Sequence, residues 1–230
     1  VLVSMLTGSG VPAQDARPAT SSQRGVESLD FANRLLRDRR YDLAAEEYEA
    51  FLAGRPDAER AADARLGLAT ARWSLGQYQP ARAQFERFLK EAPEHAGAPT
   101  AWFRVGETAY LLGNLPAARQ ALETYTEKYG DHRYADTAWT YLGEIRARQG
   151  DRDQARRAYE TALTRFPNGR LADRARYGLA RLLLAQKDYA GALARLDAIL
   201  KGGNREWLDK ARLQVGLVQL AAGKPEAAQA

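Results

Sequence analysis

The sequence has 230 residues, of which 45% are hydrophobic and 27% are charged, enough apolar material for one large core or two modest cores. The 34 Lys and Arg residues and 29 Asp and Glu residues alternate in sign along the chain, so a net charge of +5 does not make a nucleic-acid-binding arm. Because the chain has no cysteine and only two histidines, disulfides, thiolate metal sites and cysteine nucleophiles are excluded, and a histidine-based active site has little to use.

The N-terminal residues 1–24 are unlike the rest of the chain. Residues 1–6 are mostly apolar, glycines interrupt them, and small residues follow at positions 11–13, a pattern typical of the end of a secretory signal peptide. We predict a signal-peptide remnant at residues 1–13, a mature start at Gln14 and a flexible polar leader over residues 14–24. The alternative is a loose N-terminal tail or a helix end. No apolar run approaches the roughly 18 residues of a membrane-spanning helix, so no transmembrane segment is predicted.

A pattern with a period of 37 residues begins near residue 25. In six copies, the last of them one residue early, a large apolar residue precedes a small one: Phe31-Ala32, Leu68-Ala69, Val105-Gly106, Leu142-Gly143, Leu179-Ala180 and Val215-Gly216. A second column is alanine throughout: Ala44, Ala81, Ala118, Ala155, Ala192 and Ala228. A large apolar residue follows the first five of these alanines: Tyr48, Phe85, Leu122, Tyr159 and Leu196. These registers predict tandem repeats at residues 25–61, 62–98, 99–135, 136–172 and 173–208, with a partial copy at 209–230.

Each repeat has the pattern of a helical hairpin. In the fourth copy, apolar residues with helical spacing precede Gly150, and a second such series runs from Asp151 to Phe166, where Pro167 stops it. A lone hairpin cannot bury both helices, so consecutive hairpins must stack. The predicted fold class is therefore an all-α solenoid. By the same register, residues 223–228 begin the second helix of the sixth copy, and we expect the natural protein to continue with further repeats or a capping helix.

The columns resemble the tetratricopeptide repeat (TPR) over residues 25–230. The first-helix pattern is Trp102-x-x-Val105-Gly106 and Trp139-x-x-Leu142-Gly143, and the second-helix pattern is Ala155, Tyr159, Ala162-Leu163 and Pro167. This resemblance implies a right-handed superhelical solenoid whose first helices line a concave face. Linkers such as Ala135-Asp136-Thr137-Ala138 are similar to the subtype of bacterial periplasmic and outer-membrane TPR proteins, which includes the Tol-Pal system coordinator and the BamD-type assembly subunit.

The resemblance also implies which side chains point into the concave face. Three first-helix columns lie there, and the candidate partner-binding residues are Leu66, Thr70, Trp73, Phe103, Glu107, Tyr110, Thr140, Glu144, Arg148, Tyr177, Arg181 and Leu184. Aromatic residues beside Glu and Arg suit an extended peptide or a partner helix, with Trp73 and Tyr110 as the first candidates for anchors. The alternative for each aromatic residue is packing between adjacent hairpins.

The leading functional hypothesis is a protein-protein interaction scaffold of the bacterial cell envelope or periplasm, and the alternative is a cytoplasmic TPR adaptor or assembly factor. Neither a cofactor nor a metal is predicted: His95 and His132 occupy equivalent loops without a third ligand, and we expect both to be exposed. Nucleic acid is not a predicted partner, because the inner columns mix glutamates with arginines. Glu107 and Glu144 could be proposed as a general acid and base, but nothing near them supports catalysis, so an enzyme is not predicted.

Overall fold

The computed structural model describes residues 21–224, with side chains from residue 28 onward. The predicted signal segment, the leader as far as residue 20, and the start of the sixth second helix from residue 225 lie outside the described residues. Within the described range the chain forms eleven α-helices and no strand: α1 Ser21–Arg37, α2 Tyr41–Ala53, α3 Ala58–Ser74, α4 Tyr78–Glu91, α5 Ala98–Leu111, α6 Leu115–Lys128, α7 Ala135–Arg148, α8 Arg152–Arg165, α9 Ala172–Ala185, α10 Tyr189–Gly202 and α11 Arg205–Ala221. The predicted all-α fold is confirmed.

The first helix extends further toward the N-terminus than the sequence pattern indicated. α1 begins at Ser21, so residues 21–24 are helical and do not belong to a flexible leader. The prediction was wrong there because it relied on apolar periodicity. Backbone hydrogen bonds can extend a helix by a turn without an apolar face, and serine is favourable near a helix start. Among the described helices none is both long and apolar enough to span a membrane.

Within each hairpin a tight turn joins the two helices. Gly150 ends the turn after α7 with φ of 83°, and the Asp151 side chain then accepts a hydrogen bond from the Gln154 amide to cap α8. Asn114 and Asp188 cap α6 and α10 in the same way. The turn therefore depends on a left-handed residue followed by a polar cap, as the sequence around residue 150 predicts.

Helix pairs stack consecutively, and the odd-numbered helices lie on the inner side of the stack. Every helix packs on its neighbour in the chain, and α1–α3, α5–α7, α7–α9 and α9–α11 are also in contact. Successive even-numbered helices show no comparable packing in the described part of the chain. The odd-numbered helices therefore crowd together on the concave side, and the even-numbered helices fan out on the convex side.

The repeat columns form the core. The five alanines from Ala44 to Ala192 are completely buried, and so is the large residue four positions after each one, with Tyr159 the most exposed at 2%. Gly143 allows α7 to approach α8, because a Cβ atom there would lie 2.6 Å from Cδ1 of Tyr159. The pairing of small residues with one large ring, predicted from the columns, is confirmed.

Candidate partner-binding site

The predicted site residues differ in solvent accessibility: some are buried and others are partly or fully exposed. Phe103 and Thr140 are fully enclosed. The Phe103 ring stacks on Tyr134 with 4.4 Å between ring centroids, and the Thr140 hydroxyl donates a hydrogen bond to the Asp136 carbonyl. In this conformation both residues pack the interior and offer no surface to a partner.

Trp73 is engaged by the next repeat. The Arg104 guanidinium of α5 lies 3.6 Å from the centroid of the Trp73 ring, close enough for a strong cation-π contact. Arg104 also forms an ion pair with Glu107, which is only 5% exposed. Nearby, the Thr70 hydroxyl donates to the Leu66 carbonyl within α3. These side chains join α3 to α5, as in the packing alternative, and Leu66, Thr70 and Trp73 remain partly accessible.

Tyr110 belongs to a polar network across three inner helices. Its ring stacks on Tyr141 with centroids 4.7 Å apart, and its hydroxyl donates to Oε2 of Glu144 at 2.5 Å. Nη2 of Arg174 donates to the same oxygen at 2.7 Å and to the Tyr110 hydroxyl at 3.2 Å. Burial, and then the hydrogen bond to Glu144, raises the pKa of Tyr110 to about 12. Burial acts to lower the pKa of Arg174, but the hydrogen bond and charge of Glu144 raise it overall.

A cleft of about 480 Å³ opens beside this network, between α7, α9 and α11. We call it the α7–α9 cleft. Its walls contain four cations, one carboxylate and three aromatic rings, contributed by Glu144, Ala147, Arg148, Tyr159, Arg174, Tyr177, Gly178, Arg181, Trp207 and Lys210. Four predicted site residues therefore meet in one concavity: Glu144, Arg148, Tyr177 and Arg181.

The charges of the α7–α9 cleft are unevenly compensated. Glu144 is neutralised by Arg174, and Lys210 pairs with Glu206 at 3.8 Å. Arg148 and Arg181 are both exposed, and neither forms an ion pair with any residue in the described part of the chain. The surface that they form is consequently positive and faces solvent.

The rim of the cleft toward α11 is aromatic and then apolar. The Tyr177 ring lies 5.5 Å from that of Trp207, and its hydroxyl donates to Gln214 at 3.3 Å. Leu184 is half-buried and packs on the last core cluster. Further along the same columns, exposed side chains continue on α11, where Leu213 is 68% exposed and Leu217 and Leu220 are also exposed.

The pattern of the chain matches one family model. The tetratricopeptide repeat model aligns with residues 29–96, 66–133 and 135–206. The chain belongs to the tetratricopeptide repeat family. Proteins of this family generally mediate protein-protein interactions, so the TPR fold implies a protein partner. No curated protein sequence matches the chain.

Solved structures with the same fold are similar over most of the chain. PilF of Pseudomonas aeruginosa has a TM-score of 0.68 at 16% identity, covering 90% of this chain and 88% of its own. A TPR protein of Parabacteroides merdae reaches 0.71 at 16% identity, with coverages of 90% and 77%. YrrB, a TPR protein with an unusual peptide-binding site, reaches 0.66 at 20% identity, with coverages of 82% and 91%. At these identities the likeness is one of fold.

Sequence reasoning on this TPR chain missed several residues around the concave face, among them Arg104, Arg174, Trp207 and Lys210. Arg104, Tyr141 and Gly178 share one column, spaced by 37 residues. Residues in that column meet the residue 31 positions earlier, as Arg104 meets Trp73 and Tyr141 meets Tyr110. A comparison at this offset would have pointed to Arg104, but not to Arg174, Trp207 or Lys210, which lie in other columns.

The two histidines are not exposed, contrary to the expectation from their loops. His95 lies edge-on against Phe88, 5.3 Å between centroids, and its Nε2 is 3.1 Å from Asp63. His132 takes the equivalent place beside Tyr125, whose hydroxyl is 2.9 Å from Nδ1. Burial, with a smaller contribution from Arg133, lowers the pKa of His132. Each histidine ring therefore anchors the loop between two TPR hairpins to the preceding helix. Among the described residues no group of three His, Asp or Glu side chains could hold a metal ion.

The even-numbered helices carry a separate cavity. It measures about 410 Å³ and lies between α4 and α6, with Leu89, Trp102 and Val105 in its wall. Its polar rim contains both signs of charge, including the Arg82–Glu86 ion pair. The wall of the convex cavity has two cations, Arg82 and Lys90, and one carboxylate, Glu86, so it is less positive than the α7–α9 cleft with its four cations and one carboxylate.

Proposed function

We propose that this TPR protein is a protein-protein interaction scaffold of the bacterial cell envelope that binds an extended peptide or a partner helix on its concave face. The observation that supports binding there is the α7–α9 cleft, where the exposed Arg148 and Arg181 have no carboxylate partner among the described residues and lie beside the partly buried rings of Tyr177 and Trp207. The Arg148 guanidinium also lies 5.2 Å from the centroid of the Tyr110 ring. Arginines without an acidic partner, next to aromatic rings, are the composition of interface anchors.

The cleft wall is held in place by hydrogen bonds, which favours a role in binding a partner. Arg174 and Glu144 hold each other and Tyr110 in a hydrogen-bonded network behind the exposed arginines. A wall fixed by such a network loses little conformational entropy when a partner docks. A segment lying along the inner helices would therefore meet preorganised side chains.

The envelope location rests on the sequence. Residues 1–13 have the pattern of the end of a signal peptide, and the linkers between hairpins are similar to those of envelope TPR proteins such as the Tol-Pal coordinator and the BamD-type subunit. An exported chain would start at Gln14. N-terminal sequencing of the protein recovered from its native host tests this: a start at Gln14 supports export, and an uncut N-terminus in the cytosolic fraction supports a cytoplasmic adaptor.

Partner binding is tested by cross-linked capture from the envelope and cytosolic fractions of the native host. The variant Arg148→Glu/Arg181→Glu reverses the charge of the cleft. Arg157→Glu/Arg195→Glu on α8 and α10 makes the same change in net charge at exposed convex positions and is the matched control. The proposal expects proteins captured from the envelope by the parent and the control and lost by the cleft variant. Equal capture by all three would contradict concave binding.

A further inference from the structure

We propose that the α7–α9 cleft is a subsite for one aromatic side chain of an acidic peptide segment. The ring enters between α7 and α9 over Ala147 and Gly178, and the carboxylates beside it pair with Arg148 and Arg181. This inference rests on the proposed function and specifies the chemistry of the partner.

A column of stacked side chains along the inner helices is interrupted at the cleft. Between α3 and α5 the space is filled by Trp73 against Arg104, and between α5 and α7 by Tyr110 against Tyr141. One repeat further on, the same two positions are Ala147 and Gly178. Two planar groups fill each of these two junctions, whereas the α7–α9 junction has no such pair. The α1–α3 junction also lacks it, since Leu36 and Gly67 stand at the same column positions there.

The missing pair leaves the space open. The α7–α9 cleft occupies this junction, with Ala147 and Gly178 in its wall and Tyr159 of α8 behind them. A Cβ atom at Gly178 would lie 2.5 Å from Cζ of Tyr159, so glycine is required for the Tyr159 ring to reach this depth. Tyr159 thus closes the back of the cleft, and the volume in front of it suits a planar group.

The floor of the cleft also provides a free polar group. Tyr159 is 2% exposed and lines the cleft, and no hydrogen bond joins its hydroxyl to another residue in the described part of the chain. The hydroxyl oxygen keeps some contact with solvent, and an entering indole N–H or phenol would replace water as its hydrogen-bond partner. Tryptophan and tyrosine therefore fit better than phenylalanine.

The charge at the mouth determines what flanks the ring. Arg148 and Arg181 follow the vacant positions on α7 and α9, both are exposed, and both lack a carboxylate among the described residues. The one carboxylate in the wall, Glu144, already has Arg174 and Tyr110. An acidic segment complements this mouth, whereas a basic segment would be repelled.

Three labelled synthetic peptides test the subsite by fluorescence anisotropy. The first has a central tryptophan flanked by glutamates, the second replaces the tryptophan with alanine, and the third replaces the glutamates with lysines. We expect the first to bind at least about tenfold more tightly than either of the others, since one anchored aromatic ring typically has an effect of this size. Equal affinity of the first two peptides would overturn the proposal.

Two variants place the binding in the cleft. Ala147→Trp fills the cleft with the residue found at the same column position in α3, and we expect it to weaken the first peptide about tenfold or more with an unchanged or higher melting temperature. If that variant does not fold, Arg148→Ala/Arg181→Ala keeps the test open and should weaken the acidic peptide similarly. Arg157→Ala/Arg195→Ala is the control of equal charge and should bind as the parent does.

The outcomes separate this inference from the function on which it rests. If no peptide binds, or the first binds every variant equally, the subsite is overturned, while protein capture that depends on the concave face still supports the scaffold. If the first peptide binds in the cleft but no protein is captured, the recognition chemistry stands and the scaffold function fails.

Discussion

The Tyr110 hydroxyl of α5 donates a hydrogen bond of 2.5 Å to Oε2 of Glu144 on α7. Arg174 of α9 completes the interaction by donating to the same oxygen. Side chains from three consecutive repeats thus meet at one carboxylate. Because Arg174 and Glu144 also form part of the wall of the α7–α9 cleft, the contact that links three repeats also orients the candidate binding surface.

Tyr110→Phe should lower the free energy of unfolding by about 1–2 kcal/mol, since it deletes a hydrogen bond to a charged group and keeps the ring stack. Combined with Glu144→Gln, the loss should be less than the sum of the single losses, because both changes act on one network. Urea denaturation measures both quantities. Tyr78→Phe, at a tyrosine on the start of α4, is the control and should change stability little. Additive losses would show that the two residues are not coupled.

The buried tyrosines should make the protein sensitive to alkali. Burial is the main cause that raises the pKa of Tyr48, Tyr110 and Tyr125 from 10.0 to about 12. The folded state keeps these protons at pH values where the unfolded chain loses them, so unfolding releases protons and stability falls as pH rises. The melting temperature should be steady below pH 10 and decline between pH 10 and 12. A flat profile to pH 12 would contradict this.

The close approach of α7 and α8 should not tolerate added volume. Gly143→Leu would push a branched side chain into the Tyr159 ring, and Ala155→Leu would add volume at a completely buried position of α8, each costing roughly 1–3 kcal/mol or more. Both changes act on one interface, so the double variant should lose less stability than the sum of the two single losses. Thermal melts decide this. Arg157→Leu, exposed on α8, is the control, and parent-like melting of Gly143→Leu would refute the packing.

The turn position occupied by glycine in several repeats is lysine in the fifth. Lys187 has φ of 63°, where a side chain is strained, and Gly150 has φ of 83° in the equivalent place. Lys187→Gly should raise the free energy of unfolding by about 0.5–1 kcal/mol, and Gly150→Ala should lower it by about 1 kcal/mol. Denaturant midpoints of the two variants should therefore move in opposite directions. A shift of both in the same direction would show that backbone strain does not govern this turn.

The fold can be predicted from the sequence because the same pattern of small and large buried residues recurs every 37 residues. Small residues such as Gly143 and Ala155 alternate with one large residue such as Tyr159, and this alternation lets successive hairpins bury both faces. Turn residues such as Gly150 and Asp151 can also be predicted from the sequence, because a positive φ and a helix cap depend mainly on the local residues.

The site was less predictable because it depends on how the repeats differ. Arg104, Tyr141 and Gly178 occupy one column with three unlike side chains, and each one's effect depends on the residue that it meets in the preceding repeat. A long arginine can stack on Trp73 in one junction, as Arg104 does, or bridge to Glu144 from the first turn of α9, as Arg174 does. Periodicity cannot report such contacts. The histidines were mispredicted for a different reason: the ring that covers each one lies on the preceding helix, and a loop position alone does not reveal that contact.

The most direct test of concave-face binding is site-specific photo-cross-linking in the native host. A photoreactive amino acid replaces Ala185 on the inner α9 in one strain and Ala194 on the outer α10 in another, both exposed positions of the same hairpin. We predict a discrete protein adduct from position 185, which adjoins the cleft, and none of that mass from position 194. An adduct from position 194 alone, or the same adduct from both positions, would contradict binding on the concave face.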